Sequence, residues 1–216
     1  MQDLTGGASG RRTRRGGRPR DPNLEDRVFD TALDLYTDTG WSGFNFDVVA
    51  RTAGVGKASI YSRWPKREDL LRDTFERRLK ALGTVDEGSL RADLIAYGAL
   101  LMSLWNTPRA GVMLHFAVDT RHHPEIREIT AQMYRTAFDN ELAMVDRAAA
   151  RGELPEGFDG RTLVHAFKGG CLARATHEIE LENGEIALMS EAEVTAFVRG
   201  LTDLVLNGVE GYRPAP

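Results

Sequence analysis

The stretch from Asn45 to Pro65 reads NFDVVARTAGVGKASIYSRWP. Asn45 is of the residue type that caps helices, and Phe46, Val49, Ala50 and Ala53 behind it fall on one helical face. Gly54 stops that helix, and the turn Ala53-Gly54-Val55-Gly56 reverses the chain without a steric penalty. A very short helix over about 57–63 follows, closed by Trp64-Pro65. With the helix before Gly40, this arrangement describes a helix-turn-helix. Val55 is placed to pack between the two helices, and Ile60 and Trp64 to anchor the second one. The remaining side chains of that helix, Lys57, Ser59, Tyr61, Ser62 and Arg63, are groups that can donate to base edges or phosphates. Polar donors on so short a helix are poor material for core packing.

Working outward, the pattern stays helical. Asp21-Pro22 offers an N-cap and a proline at the first helical position, and Leu24, Val28, Ala32, Leu35 and Tyr36 recur at helical spacing up to Gly40. A fourth helix is expected from near Lys66 through Leu70, Leu71, Phe75 and Leu79 to about Leu82. Residues 89–105 are strongly apolar, and Thr107-Pro108 is expected to cap a helix reaching about His122. Pro124 starts a long helix to 151–152, and Asp159 caps one spanning Leu163 to about Glu180. Ser190 and Glu193 form a capping box before Val194, Val198, Leu201, Leu204 and Val205, with Asn207-Gly208 as the stop. Sustained period-two alternation is missing, so the expected fold is all-α, with about nine helices and no sheet.

The 216 residues carry 28 Lys and Arg against 32 Asp and Glu, a net charge of −4. That balance hides a split: residues 1–80 hold 16 basic and 12 acidic side chains, residues 81–216 hold 12 and 20. In the first twenty residues Arg11, Arg12, Arg14, Arg15, Arg18 and Arg20 face only Asp3. Such an arm suits a polyanion, which the acidic remainder would repel. Within it, Gly17-Arg18-Pro19-Arg20 sets arginines beside a stiff Gly/Pro segment, a form that inserts into a narrow minor groove. The expected organisation is a disordered basic arm over 1–20, a DNA-binding helix-turn-helix domain over 21–65, and a ligand-binding and dimerisation domain over 66–216. The lone cysteine, Cys171, excludes an intrachain disulfide and a Cys-rich zinc site. With no apolar run near the roughly 20 residues that span a bilayer and no apolar leader, a soluble cytoplasmic protein with no membrane partner is expected.

The stretch Val28 to Leu71, VFDTALDLYTDTGWSGFNFDVVARTAGVGKASIYSRWPKREDLL, resembles the DNA-binding domain of the tetracycline-repressor (TetR) family. The family pattern appears as Gly40-Trp41 at the end of the first helix, then as Val49-Ala50-Arg51-Thr52-Ala53-Gly54-Val55. It closes with the run from Tyr61 through Trp64, Lys66 and Glu68 to Leu70. Asn45 stands where the family usually has Thr, Gly56-Lys57 where it has Ser-Lys, Arg63 where His is frequent, and Trp64 where Phe is usual. Asn45, like Thr, can both cap and hydrogen-bond near a phosphate. The resemblance implies that Tyr61 contacts the DNA backbone, that Lys57 reaches a phosphate or base edge, and that Arg67 clamps a phosphate. It further implies an effector pocket between the middle helices. Adaptable Met and flat aromatic residues there suit an apolar or aromatic small molecule, with Trp105, Met113, Phe116, Phe138 and Phe167 as candidate walls.

Other constellations carry less. Gly54-Val55-Gly56-Lys57-Ala58-Ser59 lacks the glycine and the Ser/Thr that a phosphate-binding loop needs, having Arg51 and Ala58 there. Cys171 and His177 point roughly 240° apart on one helix and cannot pair as nucleophile and base. His115, Asp119 and His122 share a helical face, but a polar stripe is far commoner than a metal site, and no metal or other cofactor is expected. One short helix reads too few base pairs to single out an operator, so a homodimer is expected. Its interface is assigned to Gly169, Gly170 and Ala173, small residues permitting close approach, and to the stripe Val198, Leu201 and Val205. The expectation is a transcriptional regulator, a repressor that binds a near-palindromic double-stranded operator and is released by a small-molecule effector. The alternatives are a helical-bundle enzyme, which lacks a catalytic constellation, and a non-specific architectural DNA-binding protein.

Overall fold

A computed structural model of the chain describes residues 23–80, 83–177, 180–182 and 185–210. Nine helices appear among them: α1 Leu24–Gly43, α2 Phe46–Ala53, α3 Lys57–Arg63, α4 Arg67–Lys80, α5 Leu90–Trp105, α6 Val112–His122, α7 Pro124–Ala150, α8 Gly160–His177 and α9 Glu191–Glu210. Many of the expected caps form. Asn45 Oδ1 accepts from the Asp47 amide at 2.7 Å; Ser89, not singled out from the sequence, also caps its helix by accepting from Ala92 at 3.2 Å. Asp159 Oδ1 accepts from Arg161 at 3.0 Å, and Ser190 and Glu193 exchange their reciprocal bonds.

Four local expectations are corrected. The residue before α1 is Asn23, without a side-chain cap; Asp21-Pro22 lies outside the described residues. Helix α6 starts at Val112 instead of after Thr107-Pro108, because Thr107 Oγ1 caps a separate turn through the Arg109 amide at 3.2 Å. Helix α9 runs past Asn207-Gly208 to Glu210. The chain also holds a short antiparallel hairpin, β1 Glu180–Glu182 with β2 Glu185–Ala187, pairing Leu181 with Ile186. Three-residue strands are too short to set up a visible alternation.

Two cores form. The first joins α1–α3 to the start of α4, and also to Phe116 of α6 and Ile126 and Ile129 of α7. The packing of the helix-turn-helix therefore continues beyond residue 65. The second core gathers α5, α7, α8 and α9 around Leu94, Leu101, Met102, Val164, Phe167 and Cys171. Burial pushes the Cys171 thiol up to about 12, so it stays protonated as a small apolar filler. Gly98 lets α5 and α9 approach, since a Cβ there would stand 2.7 Å from Val198 Cγ1 and 3.0 Å from Phe167 Cζ.

Candidate nucleic-acid interface and internal cavity

Helix α3 is held from beneath and polar on top. Ile60 and Trp64 are buried, and the Trp64 indole meets Phe29 edge-on at 5.6 Å while donating to Asp73 Oδ2 at 2.8 Å. Gly54, at φ 67°, caps α2 in the left-handed region and aims the chain at α3. Lys57, Tyr61, Ser62 and Arg63 face solvent and Ser59 is half-buried. Tyr61 is 47% exposed, with its ring standing edge-on against Phe46 at 5.0 Å. That contact fixes the ring and leaves the hydroxyl outside.

The exposed cations are loosely engaged. Lys57 Nζ lies 2.7 Å from Asp47 Oδ2 and Arg63 lies 2.8 Å from Glu25 Oε1. Hydrogen bonding to Asp47 raises the Lys57 pKa. Surface pairs of this kind contribute little and exchange readily for phosphate. Ser62 Oγ donates to the Ser59 carbonyl at 3.0 Å. Asn45 presents its amide at the α2 cap.

Arg67, expected at a phosphate, lies on the scaffold here. Its guanidinium carbon sits 3.8 Å from the centroid of the Trp41 ring, and Nη1 donates to the Trp41 and Phe44 carbonyls at 3.3 and 3.1 Å. Arg18 and Arg20 lie outside the described residues.

The link from this head to the rest is polar and buried. Gly40 breaks α1 at φ 61°, and a Cβ there would come 2.8 Å from His115 Nδ1. The break turns the Trp41 amide toward α6, where it donates to Asp119 Oδ2 at 2.8 Å. Tyr36 donates its hydroxyl to the same oxygen at 2.8 Å. Burial, aided by Asp119, holds the Tyr36 phenol well above the usual range, so it remains a donor. Just before α6, Arg109 is bound to Asp34 of α1 through two hydrogen bonds. Asp119 thus faces α1, while His122 is exposed. Among the described residues no three His, Cys, Asp or Glu side chains gather as a metal site.

Among the described residues, two adjoining cavities lie beside the expected walls. One of about 460 Å³ opens where the last turns of α4, residues 83–85 and α5 face α7, with Val85, Gln132, Met133 and Met144 in its wall. A narrower chamber of about 90 Å³ is lined by Trp105, Met113, Phe116, Met133 and Lys168. Both share Tyr97, Met133, Ala137 and Glu141. Of the expected walls, Trp105, Met113 and Phe116 line the narrow chamber. Phe138 instead stacks on His165 at 5.2 Å, and Phe167 is buried against Tyr97. The sequence reading missed Glu141 and Lys168, charged residues in apolar walls whose local sequence looks like any solvated helix face.

The interface residues also separate. Val198 is 1% exposed and packs inward on Gly98 and Phe167; Leu201 and Gly170 touch each other. Val205 is half-buried, whereas Gly169 and Ala173 lie outside. On α9 the outward face is Ala196, Gly200 and Leu204, the last 69% exposed.

Comparison with known proteins follows the same division. The profile for bacterial regulatory proteins of the tetR family matches residues 28–74. A profile for a tetracyclin repressor-like C-terminal domain matches residues 84–186. The HTH-type transcriptional regulator AqdR of Rhodococcus erythropolis is 29% identical over 159 residues, 73% of this chain and 77% of that protein. The DNA-binding transcriptional repressor TetR of Mycobacteroides abscessus is 29% identical over 156 residues, 69% of this chain and 78% of the relative. The structure of Salmonella enterica GusR superposes with a TM-score of 0.66 at 14% identity, covering 89% of this chain and 98% of GusR, a likeness of fold.

Proposed function

We propose that this chain, which belongs to the TetR family of helix-turn-helix transcriptional regulators, is a repressor that grips a near-palindromic operator as a homodimer and lets go when a small molecule fills its body. Residues 21–65 read the DNA, through Lys57, Ser59, Tyr61, Ser62 and Arg63 on α3 and Asn45 at the α2 cap. The arm over 1–20 adds arginines, Arg18 and Arg20 among them, for the minor groove, and 66–216 binds the ligand and the second copy. Arg67 then serves to stiffen the α1–α2 corner, and turns to phosphate only if DNA draws it from Trp41. Operator binding fits a cytoplasmic protein; no helix among the described residues is long and apolar enough to cross a membrane.

The observation that carries this reading is the double membership of α6. Its Val112, Met113 and Phe116 line the narrow chamber, and its Asp119 holds the corner of α1 through Tyr36 and Trp41. A ligand that displaces α6 therefore pulls on the helix that supports the DNA-reading pair. Pairing two copies through the outer faces of α8 and α9, with Gly169, Ala173, Gly200 and Leu204 at the contact, sets two α3 helices on one operator. Genomic fragments retained by the purified full-length protein test this: after sequencing, they are expected to share an inverted repeat. Fragments without a common element would favour the architectural role instead.

A further inference from the structure

Among the described residues, two buried side-chain polar atoms lack a hydrogen-bond partner, Nε of Arg147 and Oε2 of Glu141. The first lies 3.5 Å from Asp86 Oδ2 within an ion pair. The second belongs to a carboxylate whose ion pair, with Lys168, runs through its other oxygen. Glu141 sits on α7 with its side chain 5% exposed, in the wall shared by both cavities. Its other oxygen, Oε1, is doubly engaged, accepting from the Tyr97 hydroxyl and from Lys168 Nζ at 2.7 Å. Burial, with the Glu141 charge next, keeps the Tyr97 phenol protonated and donating. A carboxylate oxygen buried in an apolar wall without a donor is costly to leave so.

We propose that this cavity takes an apolar molecule carrying an O–H or N–H donor, neutral or cationic, whose donor completes Glu141 Oε2. Such a molecule lays its apolar body against Met133, Met144, Trp105 and Met113. Tyr97 and Lys168 both engage Oε1, which leaves Oε2 as the carboxylate oxygen without a donor. At Oε2 itself a carboxylate is the wrong partner, since it brings acceptors and a like charge to an acceptor, and Lys168, the cation in this wall, is already paired with Oε1. The assignment deepens the proposed effector role and rests on it for regulation, though not for binding.

Three probes with one chain and different heads test it on the full-length protein: octylamine, 1-octanol and octanoate, followed by titration calorimetry. Octylamine and 1-octanol are expected to bind at least about tenfold tighter than octanoate, as expected when a charged acceptor is paired instead of opposed. The stronger of the first two tells a cationic head from a neutral one. Glu141→Gln is expected to erase the preference, and thermal unfolding without probe checks that this variant folds. If it does not, the order of the three probes on the unaltered protein decides alone. Octanoate binding as tightly as octylamine, an order unchanged in a folded Glu141→Gln, or no binding of either donor probe up to about 1 mM would overturn the assignment. Repeating the titrations with bound operator separates the two claims. Donor probes that bind in the expected order without releasing DNA defeat the effector role and leave the cavity assignment intact. Equal release by all three does the opposite.

Discussion

In the DNA-reading head the polar side chains that matter stand outside. Tyr61, Lys57 and Arg63 face solvent, and the core beneath them is apolar and aromatic. In the body behind it the corresponding groups stand inside: Tyr97, Glu141 and Lys168 meet between α5, α7 and α8, one carboxylate oxygen still unpaired. A surface group can be exchanged at almost no cost in stability, because water solvates it before and after. An enclosed polar group couples stability to whatever fills the space beside it. Under the proposed function, the contrast lets one chain keep its reading surface constant while its body responds to a ligand.

The largest effect expected is on the face that α9 turns inward. Val198→Asp buries a charge against Gly98 and Phe167 and should lower stability by more than about 4 kcal/mol, read by thermal unfolding. Leu204→Asp, further along the same helix but exposed, should change monomer stability by less than about 0.5 kcal/mol and still dissociate the dimer in sedimentation. Equal melting of the two variants would erase the distinction between the faces.

Next comes the joint between head and body. Asp119→Ala leaves the Tyr36 hydroxyl and the Trp41 amide without their acceptor, at a cost of about 2–4 kcal/mol in chemical denaturation. Operator release by any ligand of the narrow chamber should weaken with it. A variant as stable as the natural chain would show that α6 does not hold the corner of α1.

Smaller still, deleting residues 1–17 should flatten the slope of log K against log salt for operator binding, because fewer counterions are released. An unchanged slope would show the arm to be inert. Cys171 gives the last effect, the smallest at neutral pH. With its thiol pushed up to about 12 from the usual 9, it stays protonated below that range, and the stability it lends falls only as pH rises from about 9 to 12. Thiol reagents at pH 8 should leave it untouched until the protein unfolds.

The head was readable from sequence because its signals are local. A cap at Asn45, a left-handed stop at Gly54 and the apolar set Phe46, Val49, Ala50 and Ala53 lie within ten residues of one another. Several body signals were readable only by half. The stripe Val198, Leu201 and Val205 does mark a buried face of α9, but periodicity says that a face is covered and not by what. Gly98, a hundred residues away, supplies the cover for Val198. Glu141 and Lys168 are 27 residues apart on different helices, and only packing brings them together. Asp119, which shares a helical face with His115 and His122 and reads from sequence as part of a polar stripe, serves α1, a choice set by contacts 78 and 83 residues distant.

The separation of reading surface from scaffold is tested most directly by Lys57→Ala combined with Tyr61→Ala in the full-length protein. Fluorescence anisotropy on an operator from the genomic selection should show a loss of about 1–3 kcal/mol for each side chain. The melting temperature and the dimer should stay as they are, since both side chains are exposed. Undiminished operator affinity in the double variant would contradict the assignment of α3 as the element that reads DNA.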